Sequence, residues 1–155
     1  MKYQGVCIAV NNVKLAQKFY EDLFGLDVFQ DYGINIAFGC GISLQQEFDR
    51  IVGIPKETIL RKTHNMELYF EDDEFDDFLI KLKRYADIQY VNGGVKEAAW
   101  GQRSIKFYDL DGHIIEVGED MKIVVKRFLD LGMSIEDTSK RMDVSVSDLM
   151  KLLNK

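Results

Sequence analysis

Residues 100–119 read WGQRSIKFYDLDGHIIEVGE, and the fold turns on how this stretch is parsed. Two runs rich in β-branched and aromatic residues, 102–108 and 113–117, flank Asp109-Leu110-Asp111-Gly112, a composition that marks a hairpin turn. A loop of two or of four residues gives the same pairing, Tyr108 opposite His113 and Ile105 opposite Glu116. Arg103, Ile105, Phe107, Ile114 and Glu116 then share one face, while Ser104, Lys106, Tyr108, Ile115 and Val117 share the other. Alternation alone leaves open which face is inside.

Upstream of the hairpin, residues 66–70 read as a strand, Glu71-Asp72-Asp73 as a cap, and Phe75, Phe78, Leu79 and Leu82 as the apolar stripe of a helix. A further strand candidate covers 88–91, and 95–100 joins the first arm of the hairpin. The acidic run 71–77 suits a helix's first turn and lacks the glycine and ligand spacing of a calcium loop. The same order stands in the first half. Residues 3–10 form a strand, Asn11-Asn12 a cap, and Leu15, Ala16, Phe19, Tyr20 and Leu23 a helical stripe stopped by Gly25; strands follow at 28–32, 34–38 and 42–46. Strand, helix and three strands, twice over, make a duplicated module, with 47–64 as the connection.

Composition sets outer bounds. The chain has 155 residues, 46% hydrophobic and 30% charged, with one proline, which excludes disorder and supports a core without staples. Cys7 and Cys40 lack a CxxC spacing, and no basic-then-apolar leader opens the chain, so the expected compartment is the reducing cytoplasm. No apolar run approaches the roughly 18 residues a membrane span needs. A net charge of -6 argues against non-specific binding of nucleic acid or anionic membranes.

Three segments carry a resemblance. AVNNVKLAQKFYEDLFGL (9–26), HNMELYFEDDEFDDFLIKLK (64–83) and the closing hairpin with Asp109, Asp111 and Gly112 resemble the vicinal-oxygen-chelate superfamily, which includes glyoxalases, bleomycin-resistance proteins and extradiol dioxygenases. It covers roughly residues 1–118. The implied fold is α+β: two βαβββ modules, about 1–50 and 65–118, whose eight strands form an incomplete barrel around a cavity, with the helices outside. The resemblance also implies that Glu116 points into the cavity, with Arg103 beside it, and that Gly5, Cys7, Ala9, Asn65, Glu67, Tyr69 and Ser43 or Gln45 face the same space.

Metal-dependent relatives in this superfamily take one ligand from each of four strands. Here Gly5 stands at the first-strand histidine position, Gln45 about where a carboxylate is expected, and Asn65 in place of the second-module histidine, with His64 one residue earlier. Only Glu116 matches. Two neutral amides and one carboxylate hold zinc or nickel poorly, so the expected cofactor is none, with a divalent metal as the alternative. Plainer readings stand beside these. Glu116 and Arg103 make a structural pair; Trp100 covers a barrel edge or stacks on a ligand; Cys7 fills the core; His64 is a solvated linker residue and His113 faces outward.

Residues 119–155 read as a helical extension. A helix at 121–131 ends at Gly132, and Ser134 with Asp137 and Ser145 with Asp148 make capping-box-like starts for two short helices meeting at Asp143-Val144. GMSIEDTSKRMDVSVSDLMKLL (132–153) therefore resembles a helix-turn-helix unit. From Ser134 to Lys155 four acids balance four bases, which disfavours DNA. A helical cap packing Val124, Phe128, Leu131, Leu149 and Leu152 on the barrel or on a partner subunit is the expected role, and a homodimer is one option.

The functional expectation is a binder of a small organic molecule. Arg103 holds an anionic or carbonyl oxygen, Trp100, Tyr69 and Phe107 contact its body, Glu67 or Glu116 accepts hydrogen bonds, and Gln45 lines the rim. The alternatives are a metal-dependent lyase or isomerase of the glyoxalase type, in which Glu116 moves a proton next to a carbonyl, and a ligand-sensing regulator using the helical tail.

Overall fold

The computed structural model describes residues 1–154. The elements run β1 (Val6–Ala9), α1 (Val13–Phe24), β2 (Val28–Asp31), β3 (Asn35–Phe38), β4 (Ile42–Gln45), α2 (Phe48–Val52), a 3₁₀ turn (Lys56–Thr58), β5 (Glu67–Asp72), α3 (Phe75–Leu82), β6 (Lys96–Glu97), β7 (Arg103–Tyr108), β8 (Ile114–Glu119), α4 (Met121–Asp130), α5 (Ile135–Met142) and α6 (Val146–Leu153). The duplicated order is present, as two four-stranded mixed sheets, β1-β4-β3-β2 and β5-β8-β7-β6. In each, the first strand pairs in parallel with the last, and the remaining pairings are antiparallel. The chain divides into two units, Met1–Thr63 with Asp109–His113, and His64–Tyr108 with Ile114–Lys155. No helix among the described residues is long and apolar enough to cross a membrane.

In the first unit the Asn12 side chain accepts from the backbone of Lys14 and Leu15, and Gly25, at φ 65°, ends α1 in the left-handed conformation. Val13, Ala16, Phe19, Tyr20 and Leu23 are the buried face. Leu15 is not part of it: 60% exposed, it lies two residues after Val13, on the far side of the turn. The helix packs on Ile36, Phe38 and Leu44, with the Tyr20 and Phe38 rings 6.0 Å apart.

In the second unit Asp72 receives the Glu74 amide at 2.7 Å, and Phe75, Phe78 and Leu82 of α3 pack over the sheet, the Phe78 and Phe107 rings 6.3 Å apart. Residues 88–91 form no strand; Tyr90 makes a single bridge to Phe107, and the edge strand is the two-residue β6. The tail belongs to this unit. Ser134 and Ser145 cap α5 and α6 as expected, Asp143 turns the chain at φ 55°, and Val124, Val125, Phe128, Met142 and Leu149 form one cluster. Leu131 stays 74% exposed, because it follows the last turn of α4 and is not aimed at that cluster.

Candidate functional site

The hairpin of β7 and β8 is closed by a three-residue loop. Asp109 and His113 are bridged from the Asp109 amide to the His113 carbonyl at 3.0 Å, and Gly112, at φ 91°, donates to the Asp109 carbonyl at 3.3 Å. An odd loop reverses the parity of an even one. Tyr108 therefore pairs with Ile114, Lys106 with Glu116 and Ile105 with Val117. The expected faces are corrected accordingly: Arg103, Ile105 and Phe107 share a side with Ile115, Val117 and Glu119, while Glu116 sits with Ser104, Lys106 and Tyr108.

The first of these sides packs against α3. Phe107 is fully buried there and has no surface to offer a ligand. Arg103 is held on the same side by Glu119, at 2.7 Å, and by Asp76 of α3, at 3.0 Å, and its guanidinium lies over the Phe75 ring. It is not beside Glu116, and the expected Arg103–Glu116 pair does not form.

The other side is the open face of the second sheet. The Lys106 ammonium bonds the carboxylates of Glu67, at 2.8 Å, and of Glu116. Burial would lower the ammonium's pKa, but the two carboxylates outweigh it and the pKa is raised. Burial likewise would raise Glu116, yet hydrogen bonds from Lys106 and Ser104 hold it below the usual carboxylate range. Both groups are thus charged at neutral pH. Tyr69, register partner of Glu116, donates its hydroxyl to Glu71 at 3.0 Å, and burial and that carboxylate push its pKa up to about 12. The Gln102 amide donates to the Tyr69 hydroxyl and to the Glu119 carbonyl, both at 2.8 Å, and its oxygen accepts from the Trp100 indole at 3.2 Å. Trp100 itself is 45% exposed. His64, outside the strands, meets the Tyr108 hydroxyl at 2.5 Å with the rings stacked. Lys106 is the residue that sequence reasoning missed; Gly112 at the last loop position, the mark of a three-residue hairpin loop, was the signal for it.

His113 does not face outward freely. Its Nδ1 lies 2.8 Å from Asp109, a carboxylate 2% exposed that also accepts from the Tyr20 hydroxyl at 2.9 Å. On the open face of the first sheet, Gln45 is buried and its amide fully engaged: it donates to the carbonyls of Ile34 and Gln46 and accepts from Asn35 at 2.9 Å. Gly5, Cys7, Asn35 and Ser43 line a cleft of about 400 Å³ on this unit, and Cys7 is exposed, not core filling. Gly5 sits at φ 125°, and a Cβ there would stand 1.7 Å from the Gly41 carbonyl oxygen.

These residues do not fit a divalent metal. The carboxylates of Glu116 and Glu67 already share an ammonium, whose charge opposes a second cation. Gln45 spends its amide within its own unit, Asn65 lies exposed ahead of β5, and Gly5 has no donor. Among the described residues no three His, Cys, Asp or Glu side chains gather as a metal group.

A model of the glyoxalase-like domain matches residues 3–122. Among solved structures, a protein of unknown function from Agrobacterium tumefaciens is 29% identical, with a TM-score of 0.65, over 77% of this chain and 94% of that one. A glyoxalase/bleomycin resistance/dioxygenase family enzyme from Burkholderia phytofirmans is 13% identical, TM-score 0.65, over 77% and 98%. A fosfomycin resistance protein from Listeria monocytogenes is 17% identical, TM-score 0.57, over 77% and 93%. The last two share the fold. No curated protein matches the chain significantly.

Proposed function

This chain belongs to the glyoxalase-like family, and from that premise we propose that it binds a small organic molecule on the open face of its second sheet without a metal. The observation that carries the reading is Lys106, an ammonium seated between Glu67 and Glu116 where metal-dependent relatives would use the last-strand carboxylate as a ligand. With Arg103 turned away, the face presents three carboxylates, Glu67, Glu71 and Glu116, against one ammonium. Such a surface favours a ligand bearing amine, amidine or amide donors, with a flat body to lie against Tyr69 and Trp100. Exposed, unpaired Cys7 and Cys40 support a reducing, cytoplasmic setting.

A lyase or isomerase with Glu116 as base is the weaker reading. A carboxylate held below its ordinary pKa binds protons poorly, and a general base works best when its pKa lies near the working pH.

Trp100 is the chain's single tryptophan, so its fluorescence reports directly on the face. Titration with metal-free bleomycin and a panel of aromatic amines is expected to quench it saturably, and Glu67→Gln and Glu116→Gln to weaken binding roughly tenfold each through lost charge-assisted hydrogen bonds. Saturation by organic anions alone, or no saturable response across the panel, would overturn the proposal.

A further inference from the structure

The turn that carries Trp100 is gripped from outside the sheet. Arg127 of α4 donates to the Gly101 carbonyl and lies 3.2 Å from Glu119; Arg141 of α5 donates to the Ala99 carbonyl and reaches Glu97 at 4.0 Å. Both guanidinium groups lie over the Phe128 ring, at 5.8 and 5.5 Å. Gly101 comes so close to that ring that a Cβ would stand 2.3 Å from its Cζ. The carbonyls on either side of Trp100 are thus both tied to the tail. The indole between them is left to reach Gln102, and through it the Tyr69 hydroxyl on the open face. On the sheet side the turn is anchored at its end, where the Gln102 side chain bonds the Glu119 carbonyl and the Tyr69 hydroxyl; the part before it is held lightly. Its incoming strand, β6, is two residues long and follows Gly93 and Gly94, while the turn's own backbone bonds are those from Ala98 to Gln102 and from Gly101 to Ala98. A short, glycine-preceded edge of this kind opens readily unless it is held.

We propose that the C-terminal helices are a positioning device for the ligand face: Arg127 and Arg141 hold the Ala99–Gly101 carbonyls so that Trp100 and the Gln102–Tyr69 pair stay in place. This rests on the reading of that face as the binding site. The family match ends at residue 122, so both arginines lie beyond the common domain. The site is therefore tuned by a segment added to the family fold, and whatever engages or loosens the helices changes affinity at the sheet.

The test uses the full chain and the Trp100 signal. In Arg141→Ala, acrylamide quenching of Trp100 is expected to rise, its anisotropy to fall and bleomycin affinity to drop about threefold or more. Lys140→Ala, on the same helix but paired among the described residues only with Asp137, at 3.6 Å, should leave all three unchanged. Unchanged quenching in Arg141→Ala with the helical circular dichroism intact, or an equal rise in Lys140→Ala, overturns the proposal. If Arg141→Ala melts the tail, Arg141→Lys serves in its place: it keeps a cation beside Phe128 but loses the planar fork, and must raise quenching part-way while the helices persist. A wild-type chain that gives no saturable response to bleomycin or to any amine of the panel, yet whose Trp100 responds to Arg141→Ala, would sink the site reading and leave the positioning role standing. The reverse pattern would sink the positioning role alone.

Discussion

Asp109 accepts four hydrogen bonds, from the Tyr20 hydroxyl, the His113 ring and the amides of Asp111 and His113, while almost wholly buried. Desolvation alone would raise its pKa, yet His113 and Tyr20 hold it below the usual carboxylate range. His113 is the mirror case: burial would lower it, and Asp109 raises it above 6.5. A raised imidazole pKa means that the folded chain holds the proton more tightly than the unfolded one. Its contribution is complete below 6.5 and is lost as pH climbs through the folded value. Asp109 contributes above 3.8 and loses its share as pH falls through its own depressed value. The thermal midpoint is therefore expected to decline as pH rises above about 6.5, and the decline to flatten in His113→Asn, read by scanning calorimetry. An unchanged slope in the variant would disprove the assignment. The turn itself was legible in Asp109-Leu110-Asp111-Gly112, but the Tyr20 partnership was not, since 89 residues separate the pair and nothing local signals it.

Elements were read well wherever a cap or a stripe announced them, as at Asn12, Ser134 and Ser145. Register was harder. In the closing hairpin every exposure depends on whether the loop holds an even or an odd number of residues, and strand composition does not report that count. One residue of error moved Lys106 off the face and brought Phe107 and Arg103 onto it. The strand expected at 88–91 shrinks to one bridge, Tyr90 to Phe107: Val91 donates to the Lys106 carbonyl and Gln89 accepts from the Tyr108 amide, and the pairing does not extend into a ladder. At the turn before β7, Gly101 has both a positive φ of 91° and the Phe128 ring against it. Gly101→Ala is expected to destabilise the chain by about 1–3 kcal/mol, measured by urea unfolding, because neither the backbone nor the packed ring has slack. A change within error would show that the ring can move aside.

For the molecule as a whole, the duplicated architecture was legible because two halves repeat one order of elements, and the family followed from three segments. The candidate site was legible only in part: Glu116, Glu67, Tyr69 and Trp100 lie on or beside one face, while Arg103 and Phe107 belong to the packed side. Elemental mass spectrometry of untagged protein is expected to find no stoichiometric nickel, zinc, manganese or iron, and adding these back to leave the thermal midpoint unmoved. Retained metal that is lost in Glu116→Ala would contradict that. Gly5 sets a limit on any metal site to be built into this chain. With the Gly41 carbonyl 1.7 Å from where a Cβ would sit, a histidine cannot enter at residue 5 by substitution alone; the 39–41 loop would have to retreat first. Redesign toward metal chemistry would therefore begin with the backbone of that loop, and only afterwards with the choice of ligand side chains.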